Sequence, residues 1–145
     1  EGPAIAAALV NALMEKLEMK PLDVMQIYPA KDLQYPGFSF VQPITTSHIA
    51  GHYFEESEGP SHIHIDIYSC KRFVWQDAIS LLDNFLHLAA WEANYIVRSR
   101  GTSREKFEMS GHGNTIESVK ALMHGAEIIP EKKPILVKTV VKASL

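Results

Sequence analysis

Residues 62–70 read His-Ile-His-Ile-Asp-Ile-Tyr-Ser-Cys, and this alternation constrains the fold more than any other feature of the chain. Only a β-strand sends every second side chain to the same face. Ile63, Ile65 and Ile67 therefore point one way, and His62, His64, Asp66, Tyr68 and Cys70 the other. A sheet built on such a strand must cover its apolar face, while its polar face is free to meet water or a partner. Two stretches are suited to be the cover. Ile5, Leu9, Leu13 and Leu17 recur every four residues, with Ala6, Val10 and Met14 beside them, so residues 4–20 are expected to form a helix with one apolar stripe. Pro3 is tolerated at its start and Pro21 stops it. Residues 73–91 are expected to form a second helix, with Ala78, Leu81, Leu82, Phe85, Leu88 and Ala89 as its buried stripe.

The remaining elements are shorter. Residues 22–28 and 94–98 are expected to be strands. So are residues 38–46, although Pro43 demotes part of that stretch to an edge or a bend. Residues 55–61 form a polar loop and 110–113 another. Asn114 with Glu117 has the spacing of a capping box, which predicts a third, short helix through Met123. Residues 134–142 alternate well enough to be a last strand. The expected order is α β β β α β α β. Neither a repeat nor a composition break divides the chain, so residues 1–145 are read as one α+β domain, a mostly antiparallel sheet with helices packed on one face.

Composition narrows the function classes. With 46% hydrophobic and 21% charged residues among 145, the chain is neither disordered nor of low complexity. A formal charge of −3 argues against a nucleic-acid module and against polybasic membrane attachment. One cysteine cannot close an internal disulfide, which fits a reducing, cytoplasmic compartment. The apolar run at residues 4–14 is interrupted by Asn11 and is far shorter than the ~20 residues a bilayer span needs. No charged segment precedes it, so it does not read as a signal peptide, and a chain beginning at Glu1 leaves room for residues upstream.

Groups capable of chemistry concentrate between residues 39 and 70: Ser39, Ser47, His48, His52, Glu55, Glu56, His62, His64, Asp66 and Cys70. Two histidines and a carboxylate can bind zinc or iron, and His62, His64 and Asp66 share a strand face. His-x-His on a strand is nevertheless common without metal. His48 and His52 are expected to share a face only on a helix, which Gly51 and the β-prone flanks disfavour, so no metal is assigned. Cys70 and His52 have the residue types of a nucleophile pair, but nothing local activates the thiol. The stretch Gly111-His112-Gly113-Asn114-Thr115 before the expected third helix could offer N–H groups to an anion, yet no Lys-Ser/Thr follows as in a P-loop, and a plain loop and cap is the simpler reading.

Read in order, the same residues carry a resemblance. Thr46-Ser47-His48-Ile49-Ala50-Gly51-His52, with Ser39 eight residues before Ser47, resembles the self-cleaving segment of the prokaryotic, pyruvoyl-dependent S-adenosylmethionine decarboxylases. Asp66-Ile67-Tyr68-Ser69-Cys70 resembles the strand that follows it in that family. The stretch with Trp75, Ala78, Leu82 and Phe85 resembles its next helix, and residues 94–101 its next strand with a closing Arg-Gly. The likeness runs from about Pro36 to Gly101. The family's strand before the first helix is missing or lies upstream of Glu1. The tail after Phe107 has no counterpart in the family, and its strand at 134–142 is a candidate to fill the vacancy in the sheet. Two departures are local. The family usually has Glu where Thr46 stands, although attack requires only a carbonyl there, and the segment between Glu56 and His62 is longer than usual.

The resemblance implies an S-adenosylmethionine decarboxylase of polyamine synthesis whose cofactor, a pyruvoyl group, is made from Ser47 by cleavage between Thr46 and Ser47. It assigns His52 and Ser39 to the self-processing, Cys70 to protonating the product carbanion, and Glu56 to the substrate ribose. It also implies a homodimer formed across the mixed strand face. Two alternatives stay open: an unprocessed, inactive homologue with a regulatory or structural role, and a decarboxylase of another amino acid such as ornithine or arginine.

Overall fold

In a computed structural model the alternating stretch forms a strand at His62–Ser69, and its isoleucines are at most 3% exposed while the residues between them are half-buried. The structure describes residues 2–32, 34–55, 59–98, 104–124 and 136–144, the side chains of 98, 104, 123–124 and 136–144 excepted. In chain order the elements are α1 (Gly2–Lys16), β1 (Gln26–Pro29), β2 (Gly37–Ile44), β3 (Ser47–Phe54), β4 (His62–Ser69), α2 (Trp75–Leu86), β5 (Ala90–Arg98), β6 (Arg104–His112), β7 (Thr115–His124) and β8 (Leu136–Ser144). The strands make one sheet in the order β1-β2-β3-β4-β8-β5-β6-β7, antiparallel at every pairing. The α+β expectation, a mostly antiparallel sheet with helices on one face, describes this architecture. The last strand lies in the middle of the sheet, between β4 and β5, which therefore run parallel to each other and are joined by α2 as a crossover.

One face of the sheet carries Phe40, Ile44, Ile49, Ile63, Ile65, Ile67, Trp91, Ala93, Tyr95 and Val97, and these form a single core with Leu9, Val10 and Leu13 of α1 and Ala78, Ile79 and Leu82 of α2. Ile5 is 42% exposed and lies off the stripe. No described helix covers the opposite face, which holds Ser39, His48, His52, Phe54, His62, His64, Asp66 and Tyr68 and continues through Glu92, Asn94 and Glu108. Gly51 permits the close packing beneath it, because a Cβ there would lie 2.3 Å from the Phe40 ring.

Several expected elements are corrected. The strand expected at 38–46 ends at Ile44, and a turn at Thr45–Thr46 leads into β3, a strand the sequence reading does not include, so that residues 37–54 form a hairpin. Pro43 sits inside β2 opposite His48, and its carbonyl accepts from Leu22 N–H at 3.0 Å, outside the β2–β3 ladder. The strand expected at 22–28 is confined to Gln26–Pro29. The second helix ends at Leu86: His87 takes a left-handed conformation and its N–H closes on Asp83 O at 2.8 Å, while an Asp83 carboxylate oxygen accepts from Leu88 N–H. Trp91, expected on that helix, is on β5 with its indole N–H donating to Gly113 O at 2.8 Å, and Ala89 is exposed. The helix expected from Asn114 is β7. Gly113 at φ 56° makes a hairpin turn, and Glu117 pairs with His112 across the hairpin instead of capping a helix. No helix begins there to bind an anion. The strand β6 was not expected at all. The order is α β β β β α β β β β.

Candidate active site

The turn Thr45–Thr46 joins β2 to β3 at one end of these strands. Ile44 and Ser47 face each other across it, so the chain reverses within two residues that are both threonine. Neither threonine has the positive φ that two-residue hairpin turns favour. Ser47 is the one that departs, with φ 155°, a value sparsely populated by residues with a Cβ. The turn is fastened from outside. Thr45 N–H donates to Lys20 O at 3.0 Å, and the fully buried Ser69 hydroxyl donates to Thr46 Oγ1 at 2.9 Å while accepting from Lys71 N–H.

The peptide bond between Thr46 and Ser47 is thereby presented to two groups. Cys70 N–H donates to Thr46 O at 3.0 Å, so one backbone donor already polarises this carbonyl. The Ser47 hydroxyl lies 3.4 Å from His48 Nδ1, and His48 Nε2 lies 3.4 Å from Asp66 Oδ2 on the neighbouring strand. The His48 ring stacks on Tyr68, centroid to centroid 5.3 Å at 13°. Cys70 itself is exposed, one residue beyond the Ser47–Ser69 pair.

Ser39 and His52 are directly opposite on β2 and β3, and Ser39 Oγ lies 2.7 Å from His52 Nδ1. His48 and His52 do share a face, contrary to expectation, because residues four apart on a strand point the same way just as they do on a helix. The Ser39–His52 pair stands five residues along β3 from Ser47, about 17 Å at the usual strand rise. Thus the structure joins Ser39 with His52, and Ser47 with Thr46 and the Cys70 backbone, but separates the two groups within the chain. Cys70 and His52 do not meet as a nucleophile pair, since His52 is opposite His64. Glu56 lies outside the described residues.

His62 and His64 belong to an aromatic cluster centred on Phe54, with centroid distances of 4.6 Å and 5.4 Å to that ring. No group of three or more His, Cys, Asp or Glu among the described residues is arranged to hold a metal ion. The link from Asp66 through His48 to Ser47 and the hydrogen bond of Cys70 N–H to the Thr46 carbonyl have no signature in the local sequence. The strand alternation does put Asp66 on the polar face, but the register that brings it to His48 lies outside the local pattern.

A two-layer antiparallel α+β protein with a serine strained at a fastened turn is the class that fold and site define. The family model for S-adenosylmethionine decarboxylase matches residues 3–99, and the chain belongs to that family. The match reaches back through α1, beyond the stretch that carried the resemblance, and takes in β1–β5. No curated protein and no solved structure gave a significant match. The family is one of pyruvoyl-dependent lyases and makes the function of this chain S-adenosylmethionine decarboxylase-like. No helix among the described residues is long and apolar enough to cross a membrane.

Proposed function

We propose that this chain is a pyruvoyl-dependent S-adenosylmethionine decarboxylase that makes its own reactive carbonyl by cleaving between Thr46 and Ser47. The observation that carries the reading is the Thr46 carbonyl, held by Cys70 N–H beside a serine whose backbone is strained. The Ser47 hydroxyl attacks that carbonyl, and the charge that develops on its oxygen falls where the N–H already points. The C–N bond breaks in favour of an ester, elimination releases a chain ending in a carboxylate at Thr46, and hydrolysis expels the Ser47 nitrogen as ammonia and leaves a second chain that begins with the pyruvoyl group. The residues fit this group: its carbonyls form where Ser47 stands, half-buried at the start of β3, next to His48 and the end of β4. When present, it supplies an electron-withdrawing carbonyl that draws off the electrons released as CO2 departs. Cys70, exposed beside this position, protonates the product carbanion, and Glu56 binds the substrate ribose.

The separation of Ser39 and His52 from Ser47 supports a homodimer. Two open faces packed about a two-fold axis, with their β3 strands antiparallel, set the Ser39–His52 pair of one copy over Ser47 of the other. This gives the half-buried polar face a cover and the processing serine its assisting pair.

The test is release of labelled CO2 from carboxyl-labelled S-adenosylmethionine, with ornithine and arginine as comparators. Release from S-adenosylmethionine alone, abolished by borohydride or hydroxylamine, is the expected result. Release from ornithine or arginine alone would transfer the activity to that substrate. No release from any of them would leave an inactive homologue.

A further inference from the structure

We propose that His48, oriented by Asp66, is the base that takes the Ser47 hydroxyl proton in self-cleavage; the inference rests on the reading that this chain cleaves at Ser47. Among the described residues of the chain, His48 is the only imidazole with an atom recorded within hydrogen-bond range of that hydroxyl. The pair expected from the resemblance, Ser39 and His52, is about 17 Å along the strand.

The arrangement is a line of three groups on adjacent strands: Ser47 Oγ, the His48 ring, and Asp66 Oδ2, each step 3.4 Å. A carboxylate only accepts hydrogen bonds. In the neutral imidazole Asp66 beside Nε2 therefore favours the tautomer with its proton on Nε2, which leaves the Nδ1 lone pair facing Ser47 Oγ. Stacking on Tyr68 fixes the plane of the ring. Steps of 3.4 Å are long for hydrogen bonds, as is common for catalytic contacts before the reacting groups close up. Nucleophile, base and orienting acid are the parts needed to activate a hydroxyl.

The proton balance closes without another reactant. His48 Nδ1 takes the Oγ proton as Oγ bonds to the Thr46 carbonyl carbon. The imidazolium, stabilised by Asp66, returns that proton to the Ser47 nitrogen as the C–N bond breaks and its electron pair stays on nitrogen. The products are an ester at Oγ and a free amine at Ser47, with His48 restored. His48 touches the reacting atom and is catalytic; Asp66 acts through it and is a positioning residue.

The experiment follows cleavage of the full chain by intact mass after cell-free synthesis. Wild type is expected to cleave, and His48→Ala to cleave about 100-fold more slowly. His48 is 38% exposed, so added imidazole can reach the vacated site and is expected to restore much of the rate. His48→Gln keeps a side chain of similar reach but no basic nitrogen, and is expected to be as slow. If the alanine variant fails to fold, it carries the test. For Asp66 the readout is the tautomer: nitrogen chemical shifts in the uncleaved Ser47→Ala chain are expected to show His48 protonated at Nε2, and Asp66→Asn to lose that preference. Either His48 variant cleaving within a few-fold of wild type, or a His48 proton on Nδ1, overturns the inference while leaving self-cleavage in place. A wild-type chain that stays whole overturns both.

Discussion

The two halves of the sheet differ in what they expose on the same open face. From β1 to β4 that face carries a hydroxyl, imidazoles and aromatic rings: Ser39 on His52, His48 on Tyr68, and Phe54 against His62 and His64. From β5 to β7 it carries charge and amide, with Lys106 and Glu108 paired at 3.1 Å and Glu92, Asn94, Ser118 and Lys120 around them. The family match takes in the first half and stops at residue 99, inside no part of β6–β8. Yet beneath this face the two halves share one core. The difference teaches how the proposed chemistry and the architecture divide along the sheet: the first half holds the groups proposed to react, and β6–β8 complete the sheet that carries them.

Changes in the first half should therefore alter reaction rates, and comparable changes in the second should not. The largest effect short of removing Ser47 is expected from Cys70→Ala. Its backbone N–H remains, so cleavage at Ser47 should proceed, while turnover of S-adenosylmethionine should fall about 100-fold or more. Normal turnover would remove Cys70 from the proposed chemistry. His52→Ala should slow cleavage in its own homodimer but regain it when co-expressed with Ser47→Ala, because the mixed dimer places an intact His52 over an intact Ser47. Failure to regain cleavage in a mixed dimer would place the assisting pair within one chain.

Core changes should be blind to the division. Leu82→Ala on α2 and Ile67→Ala on β4 remove fully buried side chains and should each cost about 2–5 kcal/mol in denaturant unfolding, with cleavage per folded molecule unchanged for Leu82→Ala. Tyr95→Phe on β5 loses the buried hydroxyl that donates to Phe73 O at 2.9 Å, at about 1 kcal/mol. Burial pushes the Tyr95 phenol above its ordinary value of 10. In alkali the unfolded chain gives up this proton first, so the folded state binds more protons and stability should fall as pH rises past about 10. The phenylalanine variant should lose that part of the decline in pH-dependent unfolding. The smallest effect is expected from Lys106→Ala, a partly exposed ion pair in the second half, at no more than about 0.5 kcal/mol and with no change in cleavage.

Much of this division was legible in the sequence. The alternation at residues 62–70 placed β4 and both its faces, the four-residue spacing placed α1, and the order of Ser39, Ser47, His52 and Cys70 led to the family. The errors arose where local pattern and tertiary contact disagree. Leu88 and Trp91 continue a helical spacing but are buried on a loop and a strand, after His87 has already reversed the chain. Asn114 and Glu117 have the spacing of a helix cap, but His112 takes the Glu117 carboxylate across a hairpin turn that Gly113 makes possible. Two threonines are a poor hairpin signal, so nothing local marks the chain reversal that starts β3. The site suffered for the same reason: Asp66 is 18 residues from His48, and only the β3–β4 register brings them together.

The turn where β2 meets β3 is where the reading is most directly tested. Intact mass of the wild-type chain, beside Ser47→Ala, asks whether the Thr46–Ser47 bond survives. Two fragments are expected from wild type, one of 46 residues ending in an ordinary carboxylate at Thr46 and one of 99 residues whose first residue is blocked and reacts with hydroxylamine, while Ser47→Ala stays whole. A wild-type chain that remains at its full 16.2 kDa after prolonged incubation, with no hydroxylamine-reactive carbonyl, would contradict it.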